Sequence, residues 1–567
     1  MKTIYYTSRD PVVVFAVNEL ASQLQQERIV PLEQWGKVQE TEHTEIFLLT
    51  MKEYVAYFAG EPITLSVDEY TIIQENHRYY ITGNTPRALL YGVYGFWQHV
   101  LGVVALYYDE LAIKVGDNTL EVATRRVITQ KPKFRRRGNV LETLNDVEFL
   151  QHLVDWGVKN GHNEYFFTFF LWDEVKDVLE PELAKRGVNV TLGGHSLRYL
   201  LAKLENEQRL SSQAIDGAVG DLVGEKTAFT QQFTIENGQF FTPNNPLQQR
   251  VIKDIVAICQ DAPMITRISL WPEDIGIDAE QSEQFLTQYI AFTDQLKLAL
   301  LDKGLSVEVE HIVYNAGLAW HMLERADHKP SEQSDILFAY WGRDYSRGLA
   351  DSGNAGQRAL SALQHWKASS TKEVTIFEYY SDHFMLSELF PPLHNRIAQD
   401  IAQYEQLQCE GILNLIVPLH KQTAAEPHMS SYNYQWNQHW NNAFYSRLAW
   451  GEDFAVIEQQ MFAQFNDAVR YKQLLDTLET ELARHTNWNF PLFPSRVVDV
   501  KKIDSSEYAA IISQQLHRAH EVVKDFTEEP LHPQTVQEKM DSYFFIMQRL
   551  TKLYAEAWAQ KVGEASV

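Results

Sequence analysis

The chain has 567 residues, of which 45% are hydrophobic and 12% aromatic, so we expect two or three folded domains rather than an intrinsically disordered protein. Its formal net charge is −25, from 50 basic and 75 acidic side chains. This deficit of basic residues argues against a nucleic-acid-binding protein and against binding to anionic membrane surfaces, since both need Lys and Arg to neutralise phosphates.

Three further features bear on the compartment of the protein. The twenty residues 89–108 carry no formal charge, but Gln98, His99 and three glycines make them a poor membrane span, and we predict a buried helix followed by a strand. Only Cys259 and Cys409 are available for a disulfide, which excludes a disulfide framework. No signal peptide is evident at the N-terminus, so we expect a cytoplasmic protein.

Residues 1–125 predict a small α/β domain. Short β-branched and aromatic runs alternate with segments of helical periodicity, and Thr85 followed by Pro86 is typical of a helix start. The predicted strands are residues 3–6, 45–49, 70–74 and 78–82, and the predicted helices are residues 11–25 and 85–99.

Residues 126–428 predict a (β/α)8 barrel. Eight apolar strand-like runs recur with helical patterns between most of them, and eight parallel strands are the number that closes a TIM barrel. The long gap between the third and fourth strands includes a polar stretch, residues 233–245, which we interpret as an insertion over the barrel mouth. The predicted strands are residues 134–142, 163–172, 188–195, 265–274, 305–315, 335–344, 374–380 and 411–418.

Residues 429–567 predict a C-terminal helical domain. Several long segments carry apolar residues at three- and four-residue spacing, the period of amphipathic helices. These apolar faces are most simply packing faces within the domain. A homodimer through the C-terminal helices is an alternative use of them.

The candidate catalytic residues are carboxylates at the ends of the fourth and seventh predicted strands. Glu273 and Asp274 follow Trp271 and Pro272, and a residue that ends a barrel strand points into the active site. The alternative for these acids is the N-cap of the next helix. Glu378 interrupts an apolar strand, where an unpaired buried carboxylate would be costly, so we predict that it lies at the mouth. Its alternative is an outward-facing or arginine-paired position. Asp382 and His383, four and five residues further on, are secondary candidates in the following loop.

Other polar and aromatic residues near strand ends are candidates for substrate binding. Aromatic platforms beside carboxylates suit a sugar ring, which has apolar faces and a hydroxylated rim. The predicted set is Arg137, Glu142, Trp172, Asp173, His195, Asn315, Tyr340, Trp341, Asp344 and Tyr380.

No metal or cofactor is expected. The histidines are scattered, with no HxH or HExxH spacing, although a metal-dependent barrel hydrolase stays an alternative. The sequence also contains no GxSxG, P-loop or GxGxxG motif, so esterase, kinase and dehydrogenase functions have no positive support.

Several motifs resemble known glycoside hydrolases. NTPRALLYGVYGFWQHVLGV resembles the end of the small N-terminal domain of α-glucuronidases and family 20 hexosaminidases, and KPKFRRRGN resembles the first-strand motif of family 20. TLGGHSLRYLL, TPNNPLQQRVIKDI, ISLWPEDIG, IFEYYSDHF and NNAFYSRLAW together resemble glycoside hydrolase family 163, formerly a domain of unknown function, which includes endo-β-N-acetylglucosaminidases acting on N-glycans. The resemblance implies a glycosidase, and it implies that Arg137 holds a sugar hydroxyl.

We therefore predict a retaining β-N-acetylglucosaminidase-like glycoside hydrolase acting on an oligosaccharide or glycoside. Glu273 would protonate the leaving oxygen and then deprotonate the incoming water. Glu378 would be the nucleophile, or would stabilise an oxazolinium if the acetamido group of the substrate attacks. In that second version Asp274 would orient the acetamido group.

Two alternatives stay open at this point. One is an α-glucuronidase-like inverting enzyme, in which Arg137, Arg198 or Arg343 would bind the uronate. The other is a catalytically inactive carbohydrate-binding relative, since a barrel fold alone does not establish activity.

Overall fold

The structure is a computed structural model of the whole chain. It describes residues 2–24, 27–35, 44–108, 113–114, 123–215, 239–273, 279–315, 320–324, 331–351, 353–386, 389–417, 436–483, 506–530, 533 and 535–565. Asp274 and residues 233–238 of the predicted insertion lie outside these described residues.

The N-terminal part is a six-stranded sheet in the order β2-β1-β3-β5-β4-β8. The strands β1, β2, β3 and β5 run parallel, and β4 pairs antiparallel with both β5 and β8. The predicted boundary near residue 125 falls inside β8, all of which belongs to this sheet. The strands are β1 Lys2–Tyr6, β2 Glu27–Pro31, β3 Thr44–Thr50, β4 Tyr70–Asn76, β5 Arg78–Gly83 and β8 Ala123–Gln130, and a separate hairpin joins β6 Val103–Val104 to β7 Ile113–Lys114.

Helices cover both faces of this sheet. Thr85 caps the helix Pro86–Phe96 by accepting from the backbone N–H of Ala88, and Pro86 occupies its first turn. This helix continues into a π-helical turn, so the uncharged segment 89–108 is a buried helix followed by a short strand, as predicted. The elements are the helices Pro11–Gln23, Met51–Phe58 and Pro86–Phe96, the π-turn Trp97–Leu101 and the 3-10 turn Leu32–Gln34.

A closed barrel of eight parallel strands follows, which confirms the predicted TIM barrel. The ladder runs β9 to β16 in chain order and closes by pairing β16 with β9. The strands are β9 Arg136–Leu141, β10 Glu164–Thr168, β11 Asn189–Gly194, β12 Ile265–Leu270, β13 Glu308–Tyr314, β14 Asp335–Ala339, β15 Val374–Asp382 and β16 Gly411–Val417.

Helices surround the barrel and fill the C-terminal part of the chain. The hydroxyl of Tyr445, on the helix Trp436–Trp450, lies within hydrogen-bond distance of the backbone carbonyls of Gly138 at 2.8 Å and Ile412 at 2.7 Å, which ties this helix to β9 and β16. The helices around the barrel are Val147–Lys159, Phe169–Ala184, Leu197–Ile215, Pro246–Asp261, Ala279–Asp302, Trp320–Glu324, Gly353–Ser369, His383–Leu386, His394–Gln406 and Trp436–Trp450, with 3-10 turns at Gln239–Phe241 and Leu349–Asp351. The C-terminal helices are Phe454–Phe462, Ala468–Leu482, Ser506–Val523 and Val536–Ala565.

The second barrel strand is shorter than predicted. It ends at Thr168, whose side chain accepts from the backbone N–H of Leu171 and so starts a helix where the sequence predicts strand to residue 172. The aromatic run there is compatible with either structure, and the cap decides between them.

Buried charges close the N-terminal end of the barrel. Arg136 points inward and donates to Glu164 at 2.7 and 2.9 Å and to Glu310 at 2.6 Å, across the barrel interior. Arg267 pairs with Asp335 at 2.6 Å in the same layer. This end therefore contributes to stability, and the opposite end of the strands is left for function. Among the described helices, none is long and apolar enough to cross a membrane.

Candidate active site

A cavity of about 360 Å³ opens at the C-terminal mouth of the barrel. This is the end where the active sites of TIM barrels lie, because the strand ends and the βα loops converge there. The lining residues come from strands or strand ends around the barrel: Glu142, Thr143, His195, Trp271, Ile312, Tyr314, Trp341, Phe377, Tyr379, Asp382, Phe384, Leu415 and Val417.

Six of these side chains are aromatic, and two tryptophans are held firmly. Trp271 is buried, donates its indole N–H to Ser269 Oγ at 2.9 Å and packs against Phe377 with ring centroids 5.3 Å apart. Trp341 is fixed through Asn315, whose side chain donates to its carbonyl at 2.8 Å and accepts from its N–H at 2.7 Å. The predicted residue Asn315 thus positions an aromatic wall of the cavity instead of lining it.

Two carboxyl groups from different strands reach the cavity. Glu142 follows β9 and is half-buried, while Asp382 ends β15 and is only 1% exposed. The backbone N–H of Phe384 donates to Asp382 Oδ1 at 2.9 Å, which stabilises the ionised carboxylate. The carbonyl of Glu142 accepts from Thr168 Oγ1 at 2.8 Å, which fixes the backbone from which its side chain projects.

The phenol of Tyr379 also lines the cavity. It is 3% exposed, and its hydroxyl has no hydrogen-bond partner among the described residues. Burial raises the pKa of Tyr379 well above its usual range, and Tyr314 and Asp382 act in the same direction. The hydroxyl therefore stays protonated and can donate a hydrogen bond.

His195 lines the cavity, as its strand-end position predicts. Its Nδ1 lies 3.1 Å from the carbonyl oxygen of Pro272. Because a carbonyl only accepts, Nδ1 carries the proton of this bond and Nε2 is the ring nitrogen left for a ligand. The ring also packs edge-on against Trp271 at 5.4 Å.

Glu273 lies at the rim of the mouth and is not among the lining residues. Its carboxylate is 3.4 Å from the backbone N of Arg198, in the first turn of the helix Leu197–Ile215, and 3.6 Å from the Arg198 guanidinium. This helix precedes β12 in the chain, so the contact is not the capping of the next helix that is the alternative for the acid pair. The second predicted acid, Asp274, lies outside the described residues.

Glu378 is not where the sequence predicts it. It is 3% exposed and points away from the cavity, into a buried cluster where it accepts from Arg343 Nη1 at 2.8 Å, from Tyr345 OH at 2.9 Å and from the Tyr404 hydroxyl. The same arginine pairs with Asp400 at 2.9 Å. The arginine-paired alternative is thus the observed one, and this carboxylate stabilises the packing of β15 against the surrounding helices.

Arg137 is also placed differently from the prediction. Its guanidinium is fully buried outside the barrel, donates to Asp68 of the N-terminal domain at 2.9 Å and to the Gly161 carbonyl at 2.8 Å, and lies over the ring of Trp450. No part of it faces the mouth, so it ties the two domains together and does not hold a sugar hydroxyl.

None of the other predicted substrate-binding residues is among those that line the cavity. Trp172 is buried against Phe167, and Asp173 pairs with Lys176 at 2.6 Å on the outer surface. Three more complete the set: Tyr340 is 9% exposed, Asp344 accepts from Ser346 in a loop, and Tyr380 donates to Asp400 outside the barrel.

Sequence reasoning missed part of the lining. Tyr379 belongs to the same run as Glu378 and is not among the predicted residues, whereas Asp382 is predicted only as a secondary loop candidate after Glu378. The available signal was the alternation of faces, since Phe377 and Tyr379 must lie on the face opposite to Glu378. Alternation identifies Tyr379 as a residue that faces the cavity. It does not identify Asp382, which is four residues from Glu378 and would share its face in a regular strand.

One cluster outside the mouth has the donor types of a metal site. His394, Asp476 and Glu479 bring ligand atoms within 4.8 Å of one another. Their oxygens are engaged otherwise: Glu479 accepts from the backbone N–H groups of Asn395 and Arg396, and Asp476 pairs with the nearby Lys472 at 3.1 Å. The cluster therefore acts as the N-terminal cap of the helix His394–Gln406.

Comparison with known proteins identifies the fold. No protein-family model matches this chain, and no curated protein sequence matches it. Solved structures match this chain in fold. A GH138 enzyme targeting pectin rhamnogalacturonan II matches with a TM-score of 0.60 and 12% identity, over 98% of this chain and 69% of that one. A GH115 4-O-methyl-α-glucuronidase with specificity for decorated arabinogalactans matches with a TM-score of 0.59 and 13% identity, over 98% and 72%.

This chain has the fold of those glycoside hydrolases. At 12% and 13% identity the likeness shows the fold alone, and the resemblance to family 163 stays a prediction.

Proposed function

We propose that the protein is a glycoside hydrolase whose active site is the cavity at the barrel mouth. The observation that carries the proposal is the delivery of Glu142 and Asp382, from two different strands, into one cavity lined by aromatic rings. Glycosidic bond cleavage generally requires two carboxyl groups, and aromatic walls suit the apolar faces of a sugar ring.

The environments of the two carboxyl groups suggest different roles. Asp382 accepts a backbone N–H, which favours its ionised form against the opposing effect of burial and suits a nucleophile or a base. Glu142 is half-buried on a longer side chain and suits the proton donor to the leaving oxygen. The Tyr379 hydroxyl would donate to an oxygen of the bound sugar, which supplies the partner that this buried phenol otherwise lacks.

Glu273 is the second candidate for the proton donor. It follows the cavity-lining Trp271 by two residues and β12 by three. Its contact with Arg198 at the rim argues for a smaller part in catalysis. We therefore assign the proton to Glu142 and use Glu273 as the comparison that tests this assignment.

The cavity favours a sugar without a carboxylate. Among the described residues that line it, none is Lys or Arg and two are acids, so a uronate there would meet like charges. Arg137 and Arg343 are buried in ion pairs elsewhere, and Arg198 contacts Glu273 outside the lining. The GH115 neighbour is described as a glucuronidase, but this lining supports the predicted N-acetylglucosaminide better than a glucuronide.

The test is hydrolysis of a panel of aryl glycosides and N-glycan oligosaccharides, with the anomeric configuration of the product followed by NMR. We expect cleavage of an N-acetyl-β-glucosaminide, with losses in kcat/KM on the order of 10³-fold in Glu142→Gln and Asp382→Asn. The Glu273→Gln variant should lose less than about tenfold. Product configuration then separates a retaining from an inverting mechanism.

Three outcomes would change the proposal. A loss in Glu273→Gln equal to that in Asp382→Asn would return the proton-donor role to the fourth strand. Turnover of glucuronides but not of N-acetylglucosaminides would favour the α-glucuronidase alternative. Binding of oligosaccharides without turnover of any glycoside would identify a carbohydrate-binding relative.

A further inference from the structure

The pairing of β15 with β16 contains one extra residue. Glu378 lies opposite Asn414, whereas Ser381, three residues later, lies opposite Ile416, only two residues later. Three steps along β15 are thus matched by two along β16, which is a β-bulge on β15. Bulges rotate the strand that contains them and are used near active sites to redirect a side chain.

This bulge changes which residue faces the cavity. Phe377 and Tyr379 line it with the regular two-residue spacing of a strand, but the next lining residue is Asp382, three positions on. In a regular strand Ser381 would face the cavity, and Asp382 would face outward with Glu378. The carboxylate of Asp382 is therefore in the cavity because of the bulge.

Two asparagines hold the backbone at the bulge. The N–H of Tyr380 donates to Asn414 Oδ1 at 2.9 Å, and the carbonyl of Tyr380 accepts from Asn441 Nδ2 at 3.0 Å. A bulged residue cannot use both of its backbone groups in the sheet ladder, and leaving them buried without partners would be costly. Both asparagines are fully buried, so water cannot replace them readily.

The same amides fix the residue beside the bulge. Asn414 Nδ2 donates to Ser381 Oγ at 3.0 Å, which holds Ser381 on the outer face of the barrel. Asn442 Oδ1 in turn accepts from Asn414 Nδ2 at 3.0 Å and from Asn139 Nδ2 at 2.8 Å. The amide of Asn414 is thereby oriented from both sides, with its oxygen toward Tyr380.

We propose that Asn414 and Asn441 are positioning residues that direct Asp382 into the cavity by holding the bulge at Tyr380. The role of Asp382 in chemistry rests on the proposed function, but the orientation of residues 381 and 382 does not. Loss of either amide removes the partner of a buried backbone group, and the strand then regains regular alternation, with Ser381 inward and Asp382 outward.

The orientation is measured by cysteine labelling, without any substrate. Asp382→Cys and Ser381→Cys are each treated with methyl methanethiosulfonate, and the buried Cys259 and Cys409 give a background measured in the parent chain. Both side chains are nearly buried but only Asp382 borders the cavity, so we expect position 382 to react faster than position 381. In the Asn414→Leu or Asn441→Leu background the two reactivities should reverse or converge.

The matched control is Asn160→Leu. Asn160 is a buried asparagine that also donates to backbone carbonyls, those of Ala105 and Trp156 at 2.9 Å each, but these bonds hold backbone outside the bulge. It should keep the parental labelling pattern. An unchanged pattern in both Asn414→Leu and Asn441→Leu would overturn the proposal.

A measurement on the unmodified protein guards against variants that fail to fold. Hydrogen exchange with fragmentation to single residues should find the amide of Tyr380 as protected as the ladder amides of β15, because Asn414 Oδ1 accepts from it. Exchange at the rate of an unprotected amide would contradict the assignment.

Kinetics then connect the bulge to the reaction. On whichever glycoside the wild type cleaves, Asn441→Leu should lower kcat on the order of 100-fold while KM changes less than about threefold, since the aromatic walls remain. A wild type inactive on every glycoside would refute the proposed function and leave the labelling test intact. If the labelling pattern reverses but kcat is unchanged, the catalytic role proposed for Asp382 is refuted instead.

Discussion

Substitution of Glu378 tests whether its carboxylate has a structural or a catalytic role. In the structure it accepts hydrogen bonds from Arg343, Tyr345 and Tyr404 and is 3% exposed. Glu378→Gln removes the charge and turns an amide N–H₂ toward one of these donors. Breaking a buried ion pair costs about 3–5 kcal/mol, and because Asp400 still pairs with Arg343 we expect the lower end, about 3 kcal/mol.

This loss should be visible as a fall of roughly 5 °C in the unfolding temperature of the barrel, measured by scanning calorimetry. The kcat/KM of the folded Glu378→Gln protein should stay within about threefold of wild type, because the side chain does not face the cavity. The control is Glu458→Gln, which breaks a partly exposed pair with Lys472 and should cost less than about 1 kcal/mol. A loss of activity on the order of 10³-fold with unchanged stability would refute this reasoning and make Glu378 catalytic.

Three other predictions follow from the buried charges and the aromatic wall. Burial would raise the pKa of Glu164, but Arg136 outweighs it and lowers that pKa to about 2, from 4.5. The stability that the ionised Glu164 contributes is therefore present above about pH 4.5 and is lost as the pH falls toward 2, by about 3 kcal/mol in all. In urea unfolding, the free energy of unfolding of Glu164→Gln should depend less on acid pH than that of the wild type. Arg137→Met should lower the free energy of unfolding by about 3 kcal/mol, because it removes a partner of the buried Asp68, with KM unchanged; a raised KM would indicate sugar binding. Trp341→Ala should raise KM about tenfold with a smaller change in kcat, and an unchanged KM would exclude this ring from the binding surface.

The fold could be predicted from the sequence further than the site. The β-branched runs at βα spacing predict eight parallel strands, and the closed barrel confirms them. The strand-end rule also places Glu142, His195 and Trp341 at the mouth, and all three line the cavity. These predictions succeed because they need only the period and direction of the strands.

The errors arise where the face of a strand matters. Arg137 and Glu142 are five residues apart on one strand, so alternation places them on opposite faces, and a site containing both is excluded. Alternation alone would place Asp382 on the outer face with Glu378. The bulge instead brings it to the inner face, with Tyr379. The amides that hold this bulge come from β16 and from the helix Trp436–Trp450, contacts that no local pattern in β15 indicates.

The most direct test of the account is a crystal structure of Asp382→Asn with the longest glycan that the wild type cleaves. We predict a sugar ring between Trp271 and Trp341, with its reacting carbon or scissile oxygen within about 3.5 Å of residue 382 and the scissile oxygen within about 3.2 Å of Glu142. A glycan bound with its scissile bond beside Glu273 and Arg198, outside this cavity, would contradict the account.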